Sequence, residues 1–393
     1  MRLYHRPWSM RQNKGIYDIL RSPATPRNCS VEEIISNIAM ERSVSIQKQC
    51  ISWKTTNNIC KSVGNYAVVL FNGDTFTRHL LQGMMMVWTA DLRFGAYPRI
   101  PEMSATSFNH CGCDGQFSLS SVCNKFNKVH LSFHDARTRG LCSGLVNFDE
   151  FDFIFTEAHP DEHEQYQTMN LTSSLQHLCS ADQRLRFIYL QTGLHRYNNA
   201  SNMINVFLQP RLKMIQRVAD ECKYYINDLL RIVFIDETSP FSIEDYHSEK
   251  NDFVVKFNKG GMPALHSRTK LDAHHKSMVS LMSAYPHVYL VNFRAFIAES
   301  NISSSYDGLY SLADVNALKA LYILHFMDKL FEDYKIKNKK DQKNEGQEER
   351  KHVDVGSKMK VREGSYTPTK KSSRLGSKLE IVNRNGQSSE ETK

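Results

Sequence analysis

Three short polar segments hold the side chains that could carry out chemistry in this chain. Gly73-Asp74-Thr75 supplies a hydroxyl, residues 191–195 (QTGLH) supply an amide and an imidazole, and residues 307–310 (DGLY) supply a carboxylate and a phenol. A hydrolytic site needs a nucleophile, donors that stabilise an oxyanion, and a base oriented by a carboxylate. Together the three segments contain a candidate for most of these roles.

Thr75 has two interpretations, as a helix cap and as a nucleophile. The strand-like run NYAVVLFNG (65–73) turns at Gly73-Asp74 into helical spacing, so the Thr75 hydroxyl is placed to accept a hydrogen bond from the first helical turn. An α/β enzyme also places its nucleophile where a strand ends and a helix begins, because helix N–H groups there favour developing negative charge. The tripeptide alone favours the cap.

Five β-rich runs alternate with helical stretches, and these elements must position the polar segments. The runs are 65–73, 151–158, 185–193, 230–237 and 287–296, and helical candidates lie at 210–230, 270–285 and 311–331. Several runs are continuously apolar, as strands buried on both faces of a parallel sheet are. The alternation predicts an α/β fold, a three-layer α/β/α sandwich with a five-stranded, mainly parallel sheet of the flavodoxin-like class. The first, third and fifth runs are expected to be parallel neighbours whose carboxyl ends share one edge.

Composition divides the chain into an N-terminal extension (1–60), the α/β domain (61–334) and a basic tail (335–393). A Cys-rich insertion occupies about 95–150 of the domain. The tail carries 16 Lys and Arg against 9 Asp and Glu, so it holds most of the net charge of +8. With few apolar residues it is predicted to be disordered. The nearly neutral remainder offers no electrostatic footprint for nucleic acid, and we predict no nucleic-acid partner.

Nine cysteines, all within the first 222 residues, favour disulfides over a metal site. Cys111-Gly112-Cys113 with Cys123 lacks the second Cys pair or the His pair of a zinc knuckle. Neither a metal nor a cofactor is therefore predicted. We expect disulfides among Cys111, Cys113, Cys123 and Cys142.

Four glycosylation sequons add to the cysteines in favouring the secretory lumen or the extracellular space. They begin at Asn28, Asn170, Asn199 and Asn301. The first twenty residues contain no apolar core of a signal peptide, and no apolar run of membrane-spanning length occurs, so no membrane span is predicted. Two interpretations stay open: a cytoplasmic protein with reduced cysteines, or a secretory protein whose signal or anchor precedes Met1. We favour the second.

The three polar segments resemble motifs of the SGNH (GDSL-type) hydrolase superfamily, in the branch of trichome-birefringence-like proteins and PC-esterases. GDTFTRH (73–79) is similar to the branch's Gly-Asp-Ser-x-x-Arg-His block, LQTGLH (190–195) to its mid-chain Gly-His block, and DGLY (307–310) to its C-terminal Asp-x-x-His block. The resemblance covers residues 65 to about 330. It implies an SGNH fold and an esterase or O-acyltransferase that acts on carbohydrate in the secretory pathway.

The resemblance also implies a role for each matching residue. It places Thr75 at the nucleophile and Asp307 at the acid that orients the base, with Tyr310 at the position of the base itself. The remaining residues of the motifs would bind substrate or stabilise the oxyanion: Gly73, Asp74, Arg78, His79, Gly193 and His195.

Thr75 and Tyr310 depart from the family pattern, which has Ser and His at these positions. Threonine keeps a hydroxyl but adds a methyl group that stiffens χ1. A phenol with a pKa of about 10 is protonated at neutral pH and does not accept the nucleophile's proton. Loss of a triad nucleophile or base costs on the order of 10⁶ in rate, which is roughly 8 kcal/mol of barrier. The sequence therefore predicts an impaired enzyme.

Three functional hypotheses follow. The first is a degenerate family member that retains a cleft for a glycan or an acyl ester. The second is a working ester hydrolase or acyltransferase in which Thr75 attacks with help from a non-standard base such as His79, four residues further along the helix. The third is a non-catalytic interaction protein. The sequence predicts no particular oligomeric state.

Overall fold

The computed structural model describes the elements that surround the predicted site. The described residues are 54–73, 75–91, 95, 104, 106, 111, 141–142, 152–157, 179, 184–191, 208–222, 228–235, 268–285, 288–291, 293 and 313–356. The chain separates into two compact units, Met1–Lys337 and Asn338–Lys393. The sheet and all the contacts below belong to the first unit.

A parallel sheet forms the centre of the first unit. Its strands are β1 (Tyr66–Gly73), β2 (Asp152–Glu157), β3 (Leu185–Gln191), β4 (Leu230–Ile235) and β5 (Val288–Val291), in the order β2-β1-β3-β4-β5. Every pairing is parallel. All residues of β1 are buried, which explains why its sequence is apolar without alternation. The prediction of an α/β fold around a parallel sheet is confirmed.

The position of β5 differs from the expected arrangement. We expected the run at 287–296 to neighbour the runs that became β1 and β3, but β4 lies between β3 and β5. Val288 pairs with Ile232 of β4, and Val291 pairs with Ile235. From β3 onward each strand lies beside its predecessor, because consecutive strands of a sheet are usually neighbours.

Five helices accompany the sheet among the described residues. They are α1 (Thr56–Gly64), α2 (Thr75–Trp88), α3 (Gln209–Glu221), α4 (Arg268–Met282) and α5 (Ala313–Gly356). The three predicted helices correspond to α3, α4 and the first part of α5. The Thr55 side chain caps α1 by accepting a hydrogen bond from the Asn58 N–H at 3.3 Å. Most of α1 falls within the range that composition assigned to an N-terminal extension.

The apolar side chains of the sheet contribute to two separate cores. Along β1, Val69 and Phe71 belong to a core shared with α1, α2 and α5, whereas Val68 and Leu70 belong to a core shared with α3 and α4. Successive side chains of a strand point to opposite faces, so the two cores lie on opposite faces of the sheet. The helix that follows β1 and the helix that follows β3 therefore pack on different faces.

Polar contacts, as well as the apolar core, connect the region around α1 to α5. The Tyr66 hydroxyl donates a hydrogen bond to the Met327 carbonyl at 2.6 Å. Lys54, just before α1, forms an ion pair with Asp328 on α5. These contacts join the beginning of the domain to its last helix.

Two disulfides are described, and one of them corrects the predicted pairing. Cys142 was expected to pair within the Cys-rich insertion, but it bonds to Cys60 on α1, 82 residues away. The second joins Cys179 to Cys222 at the end of α3. Proximity in sequence does not fix pairing, because α1 packs beside the segment that carries Cys142. Cys111 is also disulfide-bonded, and the predicted partners Cys113 and Cys123 lie outside the described residues.

Helix α5 extends into the segment that was expected to be disordered from residue 335. The backbone is helical to Gly356. Residues 335–356 are rich in Lys, Glu, Gln and Arg, which have high intrinsic helix propensity even when no apolar face is buried. Low hydrophobicity predicted disorder and did not distinguish it from a solvated helix. Within the described part of the chain, no helix is both long and apolar enough to cross a bilayer.

Candidate functional site

The structure places the first predicted segment at the carboxyl end of the sheet. β1 ends at Gly73 and α2 begins at Thr75. Thr75 is therefore the first helical residue rather than the residue before the helix. Asp74 and the Thr75 side chain lie outside the described residues, so their contacts stay a prediction.

The other two predicted segments begin beyond the described ends of their strands. β3 ends at Gln191, and Gly193 and His195 follow outside the described residues. Asp307 and Tyr310, between β5 and α5, also lie outside them. The predicted meeting of Thr75, His195 and Tyr310 at one edge is therefore untested.

The connections that follow β1 and β3 leave the sheet toward opposite faces. These two strands are neighbours, with Asn72 paired to Leu190 at their carboxyl ends. The chain leaves β1 toward one face of the sheet and β3 toward the other, because α2 and α3 belong to different cores. Parallel sheets form a ligand-binding crevice where successive connections diverge in this way, outside the carboxyl ends of the strands. The Gly73-to-Thr75 turn lies at that point.

Helix α2 is unusual because its polar residues are buried together with its apolar ones. Every residue from Phe76 to Trp88 is buried, including Thr77, Arg78, His79 and Gln82. The sheet covers one side of α2, and α5 covers another. Burial of an arginine and a histidine one turn beyond the end of β1 is costly unless hydrogen bonds or charges compensate.

Gly83 permits the close approach of α2 and α5. A Cβ atom at this position would lie 2.4 Å from the Asn316 carbonyl oxygen and 3.0 Å from the Ala317 nitrogen. Both are backbone atoms that cannot rotate away, so a side chain at Gly83 would push the helices apart. This contact brings the buried polar side chains of α2 near those of α5.

His79 is the histidine that a threonine nucleophile would need as a substitute base. Burial lowers its pKa well below the usual value, and the positive charges of Arg78 and Lys319 lower it further. The imidazole is therefore neutral at neutral pH. Its protonated form, which a general base must reach during reaction, is strongly disfavoured in this environment.

Lys319 is a buried residue of this region that the sequence reasoning missed. Only 1% of it is exposed, and its Nζ atom lies 5.8 Å from the centroid of the Phe293 ring. Burial lowers its pKa to about 7. A signal was present in the sequence, since Lys319 is the one lysine within the apolar helical run VNALKALYILHF (315–326).

Phe293 locates Lys319 relative to the sheet. It follows β5 by two residues and is fully buried in the same core as α2 and α5. The Lys319 ammonium is therefore close to the carboxyl end of β5, on the face of the sheet that α2 covers. Arg78, His79 and Lys319 thus occupy the same face, below the edge where the predicted site begins.

A surface groove lies away from this edge. An open groove of about 480 Å³ is lined by the exposed end of α3 and by Tyr285. Tyr285 precedes β5, and the end of α3 precedes β4, so the groove lies at the amino edge of the sheet. Among the described residues, no group of three or more His, Cys, Asp or Glu side chains is arranged to hold a metal ion.

Comparison with known proteins adds no relative: no family model, no curated protein and no solved structure matches this chain.

Proposed function

We propose that this protein is a degenerate member of the SGNH hydrolase superfamily, in the trichome-birefringence-like and PC-esterase branch. It binds an acylated glycan or another acyl ester at the carboxyl edge of the sheet and has lost ordinary turnover. The observation that carries this proposal is the divergence of α2 and α3 from the carboxyl ends of β1 and β3. That divergence lies at the Gly73-to-Thr75 turn, where the family motif begins.

The strand order supports the family proposal independently of the motifs. The order β2-β1-β3-β4-β5 is that of flavodoxin-like sheets, in which the ligand site lies between the first and third strands. A three-layer α/β/α sandwich follows if helices complete both faces. The placement of α1, α2 and α5 against one core and of α3 and α4 against the other agrees with such a sandwich.

Loss of turnover follows from the residue types at the nucleophile and base positions. Thr75 retains an oxygen, but Tyr310 offers a protonated phenol where the family has an imidazole. The phenol donates a hydrogen bond and does not take the proton of the nucleophile. Binding and oxyanion contacts alone leave about 10³-fold acceleration over water, far below that of a working triad.

The alternative with His79 as the base is disfavoured by its surroundings. Protonating His79 would add a positive charge beside the Arg78 guanidinium and near Lys319 in a buried environment. A general base works best with a pKa near the operating pH. His79 is better suited to hold the first turns of α2 in place than to exchange protons with Thr75.

An oxidising compartment is part of the proposal. Disulfides persist in secreted and lumenal proteins and are rare in the cytoplasm, and two described pairs are bonded here. We propose that the protein is a glycoprotein of the secretory lumen or the extracellular space, with its four sequons as the modification sites.

Ligand binding tests the proposed crevice. An O-acetylated oligosaccharide and its deacetylated form would be titrated into wild-type protein and followed by calorimetry. Thr75→Trp places a bulky group at the first position of α2, and we expect it to weaken binding at least tenfold. Val279→Trp, on the exposed side of α4, serves as the control and should bind as wild type does. Absence of binding, or equal binding by wild type and Thr75→Trp, would contradict the proposal.

A further inference from the structure

The part of α5 that belongs to the second unit has its charged residues sorted by face. The backbone of this part is helical to Gly356, and an α-helix turns by about 100° per residue. The five basic residues from 339 to 351 fall within a sector of about 120°, and the four acidic residues fall within a separate sector of about 100°. The basic face consists of Lys339, Lys340, Lys343, Arg350 and Lys351, and the acidic face of Asp341, Glu345, Glu348 and Glu349. An acidic residue returns to the basic sector beyond this segment, at Asp354.

This sorting does not stabilise the helix itself. Residues three or four apart are neighbours on a helix, where opposite charges stabilise it and like charges destabilise it. Between Lys339 and Glu349, no two opposite charges stand three or four residues apart. Like charges do so five times, in the pairs Lys339–Lys343, Lys340–Lys343, Asp341–Glu345, Glu345–Glu348 and Glu345–Glu349. A helix whose charges served only its own stability would show the opposite pattern, so the sorting points to an external partner.

The position of the two faces argues against a second copy of this chain as that partner. Lys339 and Lys340 on the basic face are exposed, and so is Asp341 on the acidic face. The two faces lie nearly opposite each other around the helix. A copy that docked its acidic face here would therefore leave its own basic face open, and such heterologous contacts extend into filaments instead of closing into a dimer.

The composition of the basic face indicates a partner that is bound by charge alone. Apart from the five cations, the sector from 339 to 351 contains Gln347 and no apolar residue. Protein grooves hold helices through apolar anchors, and helices that lie in a membrane surface bury an apolar face. A linear polyanion needs neither, because cation contacts and the release of condensed counterions provide the binding free energy.

The disulfides favour one class of polyanion over the others. Two are described, Cys60–Cys142 and Cys179–Cys222, and disulfides persist in the secretory lumen and the extracellular space. The anionic lipid leaflet faces the cytoplasm, and nucleic acid is also on that side of the membrane. Sulfated polysaccharides are the linear polyanions of the oxidising side.

We propose that the basic face of α5 binds a linear sulfated polysaccharide. This interaction surface is separate from the proposed crevice at the carboxyl edge of the sheet. The choice of polyanion rests on the oxidising compartment of the proposed function, whereas the basic face itself does not depend on that function.

A charge-swapped variant of the full chain tests the basic face at constant composition. It combines Lys343→Glu with Glu345→Lys, and Glu349→Arg with Arg350→Glu. Net charge stays that of wild type, but two cations move to the acidic face. The exchange also places opposite charges at positions 339 and 343 and at positions 341 and 345, so the helix should form at least as well as in wild type. The matched control combines Lys343→Arg with Arg350→Lys, which keeps both the composition and the basic face.

Heparin oligosaccharide and its chemically desulfated form serve as probes, with binding followed by calorimetry and helix content by circular dichroism. We expect wild type and the matched control to bind the sulfated form equally, and the charge-swapped variant to bind it about tenfold more weakly or less, because fewer cations meet the chain on one face. Desulfation should weaken binding to wild type, and added salt should do the same. All three proteins should have the same helix content or, for the charge-swapped variant, more.

Equal binding by wild type and the charge-swapped variant would overturn the proposal, because net charge and not the face would then account for binding. Loss of helix in the charge-swapped variant would contradict the like-charge argument. Tighter binding of wild type to phosphatidylserine vesicles or to single-stranded DNA than to the heparin oligosaccharide would also overturn it. The O-acetylated oligosaccharide should bind the charge-swapped variant as it binds wild type, so failure of the crevice and failure of the basic face are distinguishable.

Discussion

The two parts of α5 resemble each other in chemistry and differ in surroundings. The first part, from Val315 to about Leu330, is buried against the sheet and α2, whereas residues 331–341 are largely exposed. Each part carries a lysine beside a phenylalanine ring, Lys319 at 5.8 Å from Phe293 and Lys335 at 4.1 Å from Phe331. The comparison shows that burial, and not residue type, distinguishes Lys319 from Lys335.

The same contrast holds for ion pairs along the helix. Lys54 and Asp328 are paired near the buried part, with 9% and 28% of their side chains exposed. Lys337 and Asp228 are paired near the exposed part, with 54% and 65% exposed. The buried part and the exposed part of α5 thus each contain a lysine beside an aromatic ring and a residue or neighbour in an ion pair. Matched substitutions in the two parts test the comparison.

At neutral pH, the largest expected difference concerns apolar side chains. Leu324→Ala, in the buried part, should lower the free energy of unfolding by about 3 kcal/mol, because it removes a fully buried side chain and leaves a cavity. Ile336→Ala, where 53% of the residue is exposed, should change it by less than about 0.5 kcal/mol. Urea unfolding of both variants measures the difference. Similar values for the two would show that the first part of α5 is not packed as described.

The contact between α2 and α5 gives the next effect. Gly83→Ala should destabilise the protein by about 2 kcal/mol, because its Cβ would overlap the Asn316 carbonyl oxygen and overpacking of this kind strains the backbone. Gly346→Ala, in the helical part of the second unit, should not destabilise, since alanine favours helix by up to about 1 kcal/mol over glycine. Thermal and urea unfolding compare the two. A stabilising Gly83→Ala would contradict the close contact.

The pH dependence of stability gives a third effect. The pKa of Lys319 is about 7 in the folded protein, against 10.5 for an ordinary lysine. Between these values the unfolded chain binds a proton that the folded protein does not, so this residue makes stability rise with pH by up to about 1.4 kcal/mol per unit. Below about pH 7 both states are protonated and the contribution of Lys319 to the slope vanishes.

Lys319→Met isolates this contribution. The difference in unfolding free energy between wild type and Lys319→Met should change with pH from about 7 to 10, with wild type gaining as pH rises. Lys335→Met should follow the pH dependence of wild type across the same range. A Lys319→Met variant whose pH dependence equals that of wild type would show that this lysine is not held in a buried, neutral form.

The smallest expected difference concerns the two ion pairs. Asp328→Asn should cost about 1 kcal/mol, because it leaves the largely buried Lys54 ammonium with a weaker partner. Asp228→Asn should cost less than about 0.5 kcal/mol, because both members of that pair are exposed. Urea unfolding at low and high salt measures both. A larger cost for Asp228→Asn would reverse the expected order.

Much of the fold could be predicted from the sequence because buried parallel strands have a simple signature. The apolar runs at 65–73 and 185–193 predicted β1 and β3 to within two residues at each end. The run at 287–296 contains a strand of only four residues, since the apolar residues beyond Val291 include Phe293, which contributes to the core without being in the strand. Apolar character alone does not distinguish a residue within a strand from a core residue that follows the strand.

The residues around the site were harder to predict from the sequence than the strands were. The apolar helical run around Lys319 indicates that this lysine is buried, but nothing local indicates that it lies near the carboxyl edge. The same applies to the bond between Cys60 and Cys142, which joins two segments separated by 82 residues. Both features depend on which helices share a face of the sheet, and the order of elements along the chain leaves that choice open.

The central claim is that the site binds without ordinary turnover, and hydrolysis of a generic acetyl ester tests it most directly. Wild-type protein should hydrolyse the ester no faster than Thr75→Ala, and Thr75→Ser alone should change little, because both wild type and Thr75→Ser have a phenol, not an imidazole, at the position of the base. Thr75→Ser combined with Tyr310→His should gain measurable activity. Wild-type hydrolysis that disappears in Thr75→Ala would contradict the account and would show that Thr75 is a working nucleophile.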